Sequence, residues 1–262
     1  MEKRMTSTRD IGCQGCKTTL DFDISMAFQP IVDVNERTIF AYEALVRGTD
    51  GASAASVLAK VNDDNRYAFD QRCRVRAVEM ASSLGMTTKL SINFMPNAVY
   101  EPSRCLRTTL EAAHRTGFPI ANIIFETTED ERVHDADYLK KIFVTYRKEG
   151  FMTAIDDFGA GYAGLNLLAD FQPDIVKLDM ALIRNIDTDR ARQTIVGAMA
   201  AVGNLLGIRI IAEGIEQQRE ALVLHHLGIS LMQGYLFAKP GFEMLPEVDF
   251  GALEVERRAG AA

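Results

Sequence analysis

One feature limits the folds open to this chain more than any other. Short apolar runs rich in β-branched residues alternate with stretches of helical periodicity. The runs are Ala27–Val32, Ile39–Val46, Lys89–Phe94, Asn122–Glu126, Thr153–Asp156, Ile175–Leu178, Ile208–Ala212 and Leu231–Phe237. Helical patterns occupy Arg66–Leu84, Ser103–Thr116, Ala136–Lys148, Asp189–Leu206 and Glu216–Leu227. Gly117, Gly150, Gly207 and Gly228 follow four of them, and glycine is the usual residue just past a helix end. Alternation of this kind specifies a mostly parallel sheet with helical cover. Eight strands in 262 residues suit a closed barrel. Only "DVNERT" separates the first two runs, too little for a crossover helix, so these two form an antiparallel hairpin. The expected fold is α/β, a modified TIM (β/α)8 barrel with one antiparallel strand near the N-terminus. Residues 23–247 make the barrel, 1–22 a polar N-terminal tail and 248–262 a C-terminal tail.

The polar residues of these runs gather at their C-terminal ends: Glu43, Asn93, Glu126, Asp156 with Asp157, Lys177 with Asp179, Glu213 and Gln233. In a (β/α) barrel those ends converge on one face, where the active sites of the fold lie. A lone strand-end carboxylate is ordinarily a helix cap. A scatter of caps would also contain many Ser and Thr, whereas this set is nearly all carboxylate. So many acids in a partly dry site must take up protons or bind cations. Oxygen donors from Asp, Glu and Asn suit a hard ion such as Mg²⁺ or Mn²⁺. Zinc is disfavoured, because His225 and His226 point to different sides of a helix and His114 and His134 read as superficial.

Strand alternation places Glu43, Leu45 and Arg47 on one face and Ile175, Lys177 and Asp179 on one face. An arginine near the acids could grip a phosphate, although a structural ion pair explains Arg47 equally well. Metals, arginine and lysine together fit phosphoryl chemistry. The same alternation sends Asp156 and Asp157 to opposite faces. Both enter one site only if the strand ends between them, and Gly159 and Gly161 fit a chain leaving the sheet there.

Composition closes off other classes. A net charge of −7 argues against a nucleic-acid polymer as partner. The most apolar stretch, Ile195–Gly214, is interrupted by Asn204, Arg209 and Glu213, so no membrane span is expected. The N-terminus lacks the apolar core of a signal peptide, and a cytoplasmic protein is expected. Cys73 fits an apolar helical stripe with Phe69, Ala77, Met80 and Leu84. Cys13 and Cys16 have half the spacing of a zinc or redox motif, with no partner half. They read first as two free thiols, and second as an intermolecular zinc site or disulfide.

Eight stretches in order resemble the EAL-domain family of cyclic di-GMP phosphodiesterases, most of all the EAL domains fused to blue-light sensors. They are "FQPIV" at Phe28, "YEALVRG" at Tyr42, "SINFMP" at Ser91, "FETTED" at Phe125, "IDDFGAGYAGL" at Ile155, "PDIVKLD" at Pro173, "IAEGIE" at Ile211 and "QGYLFAKP" at Gln233. The resemblance implies a barrel with one antiparallel strand and hydrolysis of cyclic di-GMP to linear pGpG by water activated between two Mg²⁺ or Mn²⁺ ions, with Ca²⁺ inhibitory. It implies one ion on Glu43, Asn93, Glu126 and Asp156, and a second on Asp156, Asp157 and Glu213. Lys177 and Asp179 would position the water, with Glu43 and Glu213 also counted as catalytic. Gln29, Leu45 and Arg47 would contact the dinucleotide, and Glu216 and Gln233 would complete the polar shell. Glu129 would anchor the loop after the double aspartate, which the family uses in dimerisation and regulation. A homodimer is implied, with a regulatory partner protein left open. That loop usually reads GTGYSSL and here reads "GAGYAGL", with Ala160 and Ala163 replacing hydroxyl residues. The alternative is a weak or inactive cyclic di-GMP receptor or interaction module. Degenerate members of that kind lose the acidic set, which is complete here. A third option is a barrel phosphodiesterase with another substrate.

Overall fold

The computed structural model describes residues 20–128, 136–161 and 164–253. Among the described residues nine strands form one sheet: β1 Ile24–Asp33, β2 Thr38–Gly48, β3 Lys89–Asn93, β4 Ile123–Thr128, β5 Met152–Phe158, β6 Ile175–Leu178, β7 Arg209–Ala212, β8 Leu231–Gln233 and β9 Gly241–Phe242. The order β2-β3-β4-β5-β6-β7-β8-β1 closes through a β1–β2 pairing, and β9 adds to β1 outside the closed barrel. β1 is antiparallel to both β2 and β8, while β2 through β8 run parallel. The hairpin that places β1 against its neighbours is the one whose short connection the sequence marks.

The helices are α1 Ala54–Leu58, α2 Arg66–Ser83, α3 Pro102–Cys105, α4 Arg107–Thr116, α5 Ala136–Lys148, α6 Gly164–Asp170, α7 Met180–Ile183, α8 Arg190–Leu206 and α9 Gln218–His226. Helix α8 starts where Asp189 accepts from Ala191 and Arg192 N–H, and ends where Gly207 turns left-handed. These are the cap and stop that expose the fewest orphan groups. The long helices pack over outward-facing strand residues such as Leu90, Phe125, Ile155 and Val176. Packing also extends past the expected barrel limits: Leu20, Phe22, Val248 and Phe250 lie against this core, because each is apolar and has a surface to cover. Cys73 packs partly buried against the same core, and Cys105 is buried in α3. No helix among the described residues is long and apolar enough to cross a membrane. Cys13, Cys16 and His134 lie outside the described residues.

Two expected elements differ. The run Leu231–Phe237 is a strand only to Gln233. Beyond it the backbone folds over Ile215, where a Cβ on Gly234 would sit 2.1 Å from the Ile215 carbonyl oxygen. Only glycine permits that approach. The pattern Ser103–Thr116 divides into α3 and α4 at Leu106.

Candidate active site

The barrel interior is layered. Ile31, Ala41, Ile124, Ala154, Ile175, Ile211 and Leu231 form a buried apolar plug. Side chains two residues apart on a strand share a face, so the next inward position on five parallel strands is Glu43, Glu126, Asp156, Lys177 and Gln233, and one residue past β7 it is Glu213. On the antiparallel strand β1 it is Gln29, opposite Glu43. Sequence patterning therefore stacks a polar floor directly on an apolar one, at the C-terminal ends of the parallel strands.

The double aspartate enters this floor by a route other than the expected one. β5 does not end between Asp156 and Asp157 but continues to Phe158. Its register with β6 breaks between Ile155 and Phe158, and Asp157 has φ 53°. That left-handed conformation is uncommon outside glycine. Asp157 N–H donates to Asp156 Oδ1 at 3.0 Å. A bulge, rather than a strand end, brings both carboxylates into one site.

Two groups of carboxylates have oxygens within 4.8 Å of one another: Glu43, Glu126 and Asp156, and then Asp156, Asp157 and Glu213. Asp156 belongs to both. The ammonium of Lys177 lies among them, 2.7 Å from Glu213, 3.0 Å from Asp156, 3.3 Å from Glu126 and 3.5 Å from Glu43. Asn93 donates to Glu126 at 2.8 Å and to Glu43 at 3.1 Å. Gln233 donates to Glu43 at 2.7 Å and to Gln29 at 3.3 Å. Ser91 donates to Glu126 at 2.6 Å. Ser91 is absent from the sequence-derived set, yet it sits two residues before Asn93 and so on the same face of β3.

Two cavities open on this floor, and both are lined by Glu43 and Asp157. One, of about 450 Å³, is also lined by Gln29, Asp179, Glu213, Glu216, Gln233 and Tyr235. The other, of about 420 Å³, is mostly apolar and takes in Leu45, Phe69, Asn93, Met95 and Asp156. Asp179 stands at the rim, where one oxygen caps α7 by accepting from Ala181 N–H at 2.8 Å. Glu216 is exposed and paired with Arg184 at 2.8 Å. Arg47 is not drawn into the carboxylate group: it is half-buried and donates to the Val46 carbonyl at 2.8 Å. Ala160 is described, but Glu129 and Ala163 lie outside the described residues.

The EAL domain family profile matches residues 19–240, most of the chain. The chain belongs to the EAL-domain family. Among curated relatives, this EAL domain is 32% identical to the blue light- and temperature-regulated antirepressor BluF of Escherichia coli K12, over 89% of this chain and 58% of that protein. It is 35% identical to the probable cyclic di-GMP phosphodiesterase PdeD of the same organism, over 81% of this chain and 40% of that protein. It thus spans only about half the length of these relatives. Among solved structures it is similar to a standalone versatile EAL protein of Vibrio cholerae O395 in its c-di-GMP bound form, with TM-score 0.86 and 58% identity over 89% of this chain and 99% of that one. It is also similar to Klebsiella pneumoniae BlrP1 in a manganese/cyclic di-GMP complex, with TM-score 0.82 and 33% identity over 88% of this chain and 59% of that one.

Charge decides what the floor of this EAL domain can hold. Five carboxylates in the two groups face one buried ammonium, an excess of four negative charges that two divalent cations would neutralise. Each buried ion without compensation costs several kcal/mol. Burial pushes Glu126 and Glu213 well above the usual carboxylate range, and neighbouring acids outweigh part of the opposing pull of Lys177. Burial, Asp156 and Asp179 push Asp157 up to about 6. Burial would lower the Lys177 pKa, but Asp156, Glu126, Glu213 and Glu43 raise it well above the ordinary lysine value. The all-oxygen donor set fits hard divalent cations.

A pH-dependent stabilisation follows. Acids with raised folded pKa values bind more protons folded than unfolded, so the metal-free protein loses their contribution as pH rises through the window above about 4.5. A bound cation removes that loss. Mn²⁺ should therefore raise the melting temperature more at pH 8 than at pH 5. Equal shifts at the two pH values in a thermal scan would contradict it.

Proposed function

We propose that this EAL domain is a metal-dependent phosphodiesterase that hydrolyses cyclic di-GMP to linear pGpG. The observation that carries the reading is the carboxylate floor shared by two cavities, one polar and one apolar. A cyclic dinucleotide has two bases flanking a phosphodiester ring and needs such a double recess with charge at its centre. The complexes of the Vibrio and Klebsiella proteins named above support the same ligand.

In this reading Glu43, Asn93, Glu126 and Asp156 hold one Mg²⁺ or Mn²⁺, and Asp156, Asp157 and Glu213 hold the second. When bound, the cations supply positive charge against the phosphoryl oxygens and make water nucleophilic near neutrality. Lys177 holds the carboxylates in their grouping and adds a fixed positive charge beside the phosphate. Asp179, at the rim, orients the incoming water. Gln233 holds Glu43 in place and is itself held by Gln29, Leu45 lines the apolar recess, and Glu216 lies at the polar mouth. Arg47 reaches the phosphate by exchanging its contact with the Val46 carbonyl. Only one of the two equivalent phosphodiesters occupies the floor, and its 3′-oxygen leaves. A homodimer belongs to the proposal. Sedimentation as a monomer at micromolar concentration would remove it.

The test is chromatographic assay of cyclic di-GMP with Mg²⁺, Mn²⁺ and Ca²⁺ in turn. Mg²⁺ or Mn²⁺ should yield pGpG, whereas Ca²⁺, with looser coordination geometry, should bind and yield little. The BluF relationship favours a second reading, a nucleotide receptor acting through protein contacts. Tight cyclic di-GMP binding with no pGpG under any of the three ions would establish that reading instead.

A further inference from the structure

Beside the wall that carries Asn93 and Glu126 lies a buried ion pair, whose Asp70 also lines the apolar cavity. Arg74 and Asp70 of α2 are both buried, and their side chains pair with one another. Arg74 also donates to the hydroxyl of buried Tyr146 on α5 at 3.0 Å. Its guanidinium faces the rings of Phe94 at 5.6 Å and Phe125 at 5.3 Å. Phe94 follows Asn93 and Phe125 precedes Glu126, so alternation puts both rings on the outer face of the same two strands. The second oxygen of Asp70 accepts from the backbone N–H of Met95 at 2.9 Å. Phe94 N–H meanwhile donates to the Glu126 carbonyl at 2.9 Å.

Buried pairs of this kind are often replaceable by apolar residues without loss of stability. Helix packing alone therefore gives no reason for a charge here. The pair does two things that an apolar pair cannot: Arg74 donates to the Tyr146 hydroxyl, and Asp70 accepts the Met95 N–H, two residues beyond Asn93, and so fixes where the chain leaves β3. We infer that Asp70 and Arg74 are a positioning pair: Arg74 fixes Asp70, and Asp70 fixes the 93–95 backbone so that Asn93 and Glu126 are preset for a divalent cation. The inference rests on the metal reading above.

The experiment is calorimetric titration of the metal-free full chain with Mn²⁺. Asp70→Leu with Arg74→Met removes the pair and the acceptor without stranding a charge. It should keep a cooperative melt but bind Mn²⁺ about 10-fold or more weakly, the scale of lost support behind a metal ligand. Asp70→Asn with Arg74→Met keeps an amide oxygen for Met95 and should recover most of that affinity. Wild-type affinity in the first variant, or equal weakness in both, overturns the inference. Hydrogen exchange in the unsubstituted protein needs no variant to fold. The Met95 amide should exchange as slowly as the core strands without metal, and exchange as fast as an exposed loop overturns the proposal. If the unsubstituted chain binds no Mn²⁺, the metal reading fails, and the exchange result still decides whether Asp70 holds the loop.

Discussion

Asp156→Asn should reduce cyclic di-GMP turnover by at least about 10³-fold, the upper scale for loss of one preorganised electrostatic group, while making the metal-free protein more stable. The two effects have one cause. Asp156 belongs to both carboxylate groups, so its loss impairs both proposed cation positions at once. Without cations, however, it is one of several like charges confined beside Glu126 and Glu213, whose protonation it promotes. Removing it relieves that repulsion and leaves four carboxylates facing the single Lys177 ammonium. Glu43→Ala should abolish turnover to a similar degree, since Glu43 lines both cavities and anchors Gln233. Steady-state assay in Mn²⁺ and thermal scans in chelator measure the two effects. More than a tenth of the original rate in either variant would sink the assignment of these groups.

Lys177→Met should do the reverse to stability. The ammonium touches four carboxylates, and removing one partner of a buried ionic cluster costs about 3–5 kcal/mol. The sign follows from its pKa, raised above 10.5 in the folded protein. Its contribution is fully present through the neutral range and is lost only as pH climbs through that raised value. Between pH 5 and 8, the pH dependence of the variant comes from the acids. Lys177 lowers the pKa of Glu126 and Glu213, so without it both rise further. The variant should be weakest at pH 8, recover toward pH 5, and recover also with Mn²⁺. Turnover should fall about 10²-fold or more. Unchanged stability at pH 8 in chelator would show that the carboxylates do not depend on this lysine.

Most of the polar floor was legible because the strands write it twice. The residue two places before an inward polar group is itself inward, so Ala154–Asp156 or Ile211–Glu213 shows the apolar plug and the site together. The β1–β2 hairpin was legible from a connection too short to cross over. The geometry of Asp157 was not. Strict alternation offers only a strand end there, whereas the chain uses a left-handed residue and a bulge, a choice local sequence does not encode when the residue is not glycine. Helices α1 and α7 were missed because one turn shows no period. α6, Gly164–Asp170, follows a glycine-rich loop that masked its start. The strand limit at Gln233 depends on Ile215, a contact between segments far apart in the chain. Arg47 shows the limit of face assignment: alternation gives its side of β2, but not that its guanidinium turns back to Val46.

The central claim is that water, activated at the carboxylate floor, opens one phosphodiester of cyclic di-GMP. Reaction of the purified chain with cyclic di-GMP and Mn²⁺ in ¹⁸O-labelled water, followed by mass spectrometry of the product, tests it most directly. The account predicts pGpG carrying a single ¹⁸O on its terminal phosphate. Cyclic di-GMP recovered intact, or pGpG without label, would contradict it.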